Sequence, residues 1–151
     1  MEALLPEWAP NIHPLIIHFP IVLWLAAVFF DLISLISKGA WIRNTVMALY
    51  GLGAVSAYAA FLSGNQAIDM VTIPFQGEMT ASNHSDWGSY TLYFFIAYTI
   101  LRGIIFWKQW DKKKVVAIVL FILGTIGIGM VAKTADLGGK LVYKYGVGIN
   151  K

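Results

Sequence analysis

The chain of 151 residues is 58% hydrophobic and only 13% charged, with a formal net charge of +3. Its mean hydropathy of +0.68 excludes an ordinary water-soluble domain and points to an integral membrane protein. The lack of cysteine excludes disulfides, thiolate metal sites, iron–sulfur ligation and covalent c-type haem attachment, so any metal or cofactor falls to histidine, carboxylate or methionine.

A helix needs about 20 apolar residues to cross the hydrocarbon, and four stretches satisfy that: 14–36, 41–62, 87–107 and 115–132. The first opens as "NIHPLIIHFPIVLWLAAVFFDL". Glu2 and Glu7 stand where a signal peptide would be basic, and the apolar run exceeds a signal core, so a retained span is expected. His13 and His18 head this span, His18 about a turn inside it. Five residues apart on a helix, they diverge by about 140°, so they do not clasp one ion from a single face. An imidazole at His18's depth requires a partner. Asp31, near the other end, is expected to snorkel toward the headgroups or to pair with Lys38.

The turn to the second span is short, and Gly51, Gly53 and Gly64 in that span permit close helix approach. Only the connection 63–86 is long enough for extra structure. It carries Asp69, Glu78 and Asp86, no Lys or Arg, and His84 within "TASNHSDWGSY", where Ser82, Asn83 and Ser85 offer helix-capping oxygens. The turn before the fourth span is basic, with Lys108, Lys112, Lys113 and Lys114. Together with Lys38 and Arg43, this places the first and third turns in the cytoplasm, and both termini and the 63–86 loop outside. The lysines of the tail, Lys133, Lys140, Lys144 and Lys151, pull weakly the other way. Trp8, Trp24, Trp41, Trp87, Trp107 and Trp110 fall mostly near span ends, as interfacial anchors do. The tail "KTADLGGKLVYKYGVGIN" is punctuated by Gly138, Gly139, Gly146 and Gly148, which suit tight turns and close backbone approach.

All three histidines of the chain therefore belong to one face of the membrane. Taken singly, His18 reads as an imidazole satisfied by a carbonyl or water, His13 as interfacial and His84 as a residue near a helix start; their convergence is what suggests a site. Asp69, Glu78, His84 and Asp86 offer a surface divalent-metal site instead. There is no phosphate loop, no HExxH and no serine beside a plausible base. Nucleic acid is not an expected partner, since "KQWDKKK" reads as a membrane-orienting turn that touches anionic lipid.

"HPLIIHFPIVLWLAAVFFDL" and "GGKLVYKYGVGI" together resemble the ends of domain of unknown function family 2231, four-helix membrane proteins that open on an HPxxVHFPIAL-like helix and close on GGxLVYxHGVGV. The resemblance covers nearly the whole chain. Some relatives are joined to Rieske-type or cytochrome c-type domains, which implies electron transfer with a b-type haem near the outer face. By position, the family's histidines fall on His13, His18 and His84, whereas Tyr145 replaces the histidine of the closing motif.

A b-type haem needs two imidazoles from different helices and a way to neutralise its propionates. His18 and His84 are the favoured pair, as haem or metal ligands, with Lys133 and Lys140 for the propionates. His13 is then a quinone contact, or the ligand in place of His18. The expectation is an all-α four-helix bundle, one domain over 1–151, in the bacterial inner membrane with both termini out. It would carry electrons from quinol to an extracytoplasmic acceptor, and a homodimer is expected through its glycine-bearing faces. The rival readings are a cofactor-free anchor subunit of a redox or transport complex and a metal-ion-binding membrane protein.

Overall fold

Each apolar stretch is a helix in the computed structural model, which describes residues 11–37 and 39–149. The expectations resting on Glu2, Glu7, Trp8, Lys38 and Lys151 lie outside those residues. The first span is divided into α1 (His13–Ile16) and α2 (His18–Ser34). Pro20 has no N–H to give the carbonyl of Ile16, and its ring crowds that carbonyl, so the helix breaks at Ile17 and restarts at His18. The remaining helices are α3 (Ala40–Ile68), α4 (Glu78–Trp107) and α5 (Lys114–Tyr143), with 3-10 turns at Phe75–Gly77 and Trp110–Lys112. No strand occurs among the described residues.

These helices outrun the apolar stretches that predict them. Hydropathy counts where a chain is greasy, not where it is helical, and the polar turns at the ends nearer the histidines continue the spans. Most of the 63–86 connection is helical as a result, and His84 stands in the second turn of α4 rather than ahead of it. Gly138 and Gly139, expected in a tail, lie within α5. The helix ends just beyond Tyr143, where Gly146 takes a positive φ of 70°, a conformation that costs a glycine nothing.

Four spans with short turns alternate in direction. α2 and α4 each pack against both α3 and α5, so they face each other across the bundle's diagonal. Four helices are long and apolar enough to cross a membrane. Their outer faces carry exposed Val22, Phe29, Val55, Ile100 and Ile122, apolar surface that lipid solvates and water does not.

The interior is built from pairs of residues at one spacing. Asp31 and Arg102 are 71 positions apart and bonded to each other. The same offset separates His13 from His84, whose rings meet, and Trp24 from Phe95, whose rings stack 3.4 Å apart at 9°. Bonds between other positions repeat as well: His13 reaches Ser63 and His84 reaches Thr134, each 50 residues away. Equivalent positions that touch one another lie on a two-fold axis, here running down the bundle and relating the hairpin α1–α3 to the hairpin α4–α5. Parallel repeats about an axis along the membrane normal are a known plan for membrane folds. Three layers thus stack along the axis: His13/His84 at the end holding both described termini, Trp24/Phe95 in the middle, and Asp31/Arg102 toward the short turns.

Candidate functional site

The histidine layer is assembled from four helices. Asn11 accepts the backbone N–H of His13 on its side-chain oxygen at 3.1 Å, and Pro14 occupies a first-turn position where no N–H is needed. This fixes the start of α1 and turns His13 inward. The stripe of buried residues on α2, Asp31, Val28, Ala27, Trp24 and Pro20, continues back two turns to His13 and not to His18. In α4, Glu78 in the first turn complements the helix dipole, and His84 follows on the face that meets α5.

Each ring is anchored at Nδ1. The Ser63 hydroxyl donates to the carbonyl of Ala60 at 2.9 Å, which leaves its oxygen to accept from His13 Nδ1 at 3.0 Å. His84 Nδ1 lies 3.0 Å from the carbonyl of Thr134, which can only accept. Both imidazoles are thereby held as Nδ1–H tautomers with an acceptor lone pair on Nε2. Among the described residues no protein group bonds to either Nε2. The ring centroids are 6.5 Å apart and the planes cross at 78°. Both rings are half-buried.

Two glycines keep the walls back. A Cβ at Gly64 would stand 3.0 Å from Cε1 of His13, and one at Gly138 would stand 3.0 Å from Cε1 of His84. A Cβ at either position requires the facing ring to give by a few tenths of an ångström. Thr134 is itself held, its hydroxyl donating to the Met130 carbonyl at 3.0 Å and lying 3.1 Å from the Thr91 hydroxyl.

The other residues singled out in the sequence are dispersed. His18 is exposed on the outer face of the bundle, so the structure pairs His84 with His13 where the sequence favoured His18. Lys133 and Lys140 are exposed, and Lys140 pairs with Asp136 at 2.6 Å. Tyr145 lies over Gly77 at the head of α4. Its phenol is held below the ordinary tyrosine range, chiefly by a hydrogen bond with Thr80 and then by Lys144. The acidic residues of the 63–86 segment do not gather round His84: no group of three or more His, Asp or Glu side chains converges among the described residues.

Asp31 corrects the expectation most sharply. It does not snorkel toward the headgroups; it is 2% exposed and bonded through both carboxylate oxygens to Arg102 of α4. Tyr50 donates a third bond to it at 2.9 Å. The Tyr98 hydroxyl accepts from Arg102 at 2.8 Å and donates to the Leu120 carbonyl at 2.8 Å, and the guanidinium lies 4.8 Å from the Tyr50 ring centre. Arg102 went unnoticed in the sequence because one charge hardly dents the apolar average of a long span. At an offset of 71 the chain sets Arg102 against Asp31 and Thr134 against Ser63.

A family described as "Predicted membrane protein (DUF2231)" has a model that matches residues 9–151. No curated protein and no solved structure matches the chain.

Proposed function

The chain belongs to the DUF2231 family of predicted membrane proteins, and from that premise we propose that it is an electron-transfer protein in which His13 and His84 are the axial pair of a b-type haem. The observation that carries the proposal is the common tautomer of the two rings: both Nδ1 atoms are anchored, and neither Nε2 is bonded to a described residue.

The residues fit such a group in kind and number. His13 and His84 would hold the group from separate repeats, with their ring centroids 6.5 Å apart. A hydrogen bond at the remote nitrogen orients a ligating histidine and raises its basicity, which is the part played by Ser63 and the Thr134 carbonyl. The haem would supply one-electron chemistry. The protein's own part is to hold two imidazoles on separate repeats, exclude Cβ atoms beside them at Gly64 and Gly138, and wall the site with helices.

In this reading the histidine end faces outward, because the short turns at the opposite end carry Arg43, Lys108 and Lys112 to Lys114. A haem held there would serve electron transfer from a membrane quinol to an extracytoplasmic acceptor of Rieske or cytochrome c type. The test is a reduced-minus-oxidised visible spectrum of the detergent-extracted protein from haem-replete cells. Low-spin bands that vanish in His13→Ala and in His84→Ala but persist in His18→Ala are expected. A featureless spectrum from the folded wild type would sink the proposal, and bands lost only with His18 would assign the ligand wrongly.

A further inference from the structure

The opposite end of the bundle holds a cavity of about 290 Å³ that opens between the helix ends. Its floor is the Asp31–Arg102 pair and its rim includes the Arg43–Asp111 pair, Lys112 and Lys114. Four cationic groups thus face two carboxylates. Both carboxylates are already committed: Asp31 to Arg102 and Tyr50, and Asp111 to Arg43 Nε and Nη2 at 2.6 and 2.9 Å. Neither Arg43 Nη1 nor Arg102 Nε donates to any described group, so guanidinium donors remain in surplus as well as charge.

The position of the cavity narrows the ligand. Trp41, Trp107 and Trp110 are exposed around the same end, where indoles mark the membrane–water boundary. Basic pockets between helices at that level recognise phosphate-bearing headgroups, and guanidinium groups match phosphate oxygens in geometry as well as in charge. We propose that this cavity is a binding site for a phosphate-bearing anion, supplied by an anionic phospholipid headgroup or as free inorganic phosphate. The site is at the far end of the bundle from the histidines and does not depend on what they bind.

The experiment follows thermal unfolding of the full chain in detergent. One arm adds sodium phosphate against sodium chloride of matched ionic strength; the other adds phosphatidylglycerol against diacylglycerol of the same chains. A site filled at about 100 times its dissociation constant raises the midpoint by about 8 °C. Two variants accompany the wild type: Lys112→Gln/Lys114→Gln, which touches only exposed side chains, and Arg43→Gln/Asp111→Asn, which removes the rim pair without orphaning a charge. A rise with phosphate identifies the free anion, and a rise with phosphatidylglycerol alone identifies the headgroup; both variants are expected to lose most of it. No rise in either arm, or a rise undiminished in both variants, overturns the proposal.

Discussion

The histidine layer and the Asp31–Arg102 layer occupy equivalent positions on one two-fold axis, yet one is chemically open and the other closed. At Asp31 and Arg102 the two repeats contribute opposite charges, and the carboxylate is filled by guanidinium and phenol donors. At His13 and His84 they contribute the same side chain, and each ring is satisfied on one nitrogen only. An ion pair inside a membrane bundle holds helices together because separating it strands a charge. Two like imidazoles cannot satisfy each other when each presents a lone pair, and in the proposed function a haem would complete the layer. Burial agrees with this division: the ion pair is nearly sealed, whereas the histidines are half-buried.

The comparison predicts that the closed layer carries stability and the open layer does not. Arg102→Ala leaves Asp31 buried and unpaired, and is expected to cost about 3–5 kcal/mol, measured by reversible unfolding in detergent or lipid. The exchange Asp31→Arg/Arg102→Asp sharpens the test. On a two-fold axis the partners trade places, so the double variant is expected to recover most of the loss that Asp31→Arg suffers alone. A double variant no better than that single one would break the symmetry argument. Trp24→Ala removes the ring stacked on Phe95 and bonded through its Nε1 to the Gly124 carbonyl at 3.0 Å. Its expected cost is about 3–5 kcal/mol from the cavity and the lost bond. Ser63→Ala breaks one anchor of the open layer and is expected to cost about 1 kcal/mol; under the proposed function it would also lower the affinity for haem by weakening the orientation of His13. His18→Ala, on an exposed side chain, is expected to change stability by no more than about 0.5 kcal/mol.

Which of these layers the sequence reveals follows from what each depends on. The solvent, the four spans and the family are legible, because they rest on apolar runs and on motifs at the two ends. The sequence also shows that His13 and His18 point apart, so that only one of them turns inward. Choosing between them requires knowing where Pro20 breaks the helix and following the buried stripe back from Asp31, and an apolar run greasy on all sides conceals such a stripe. Arg102 is hidden for a related reason: its cost in lipid is cancelled by a partner 71 residues away, and window averages are blind to partners. Ser63 and Thr134 look like ordinary helix hydroxyls until the fold brings a ring to each. The repeat is faint in the sequence, since of the three pairs that meet on the axis only His13 and His84 are identical.

The most direct measurement of the central claim is the electron paramagnetic resonance spectrum of the oxidised, haem-loaded protein. Crossed imidazole planes donate to both π-type d orbitals of a ferric ion alike and leave them nearly degenerate, whereas parallel planes split them. The 78° between His13 and His84 predicts a highly anisotropic low-spin signal that is absent from both histidine variants and intact in His18→Ala. A rhombic signal of the parallel type, or no low-spin ferric signal in the folded wild-type protein, would contradict an axial pair drawn from the two repeats.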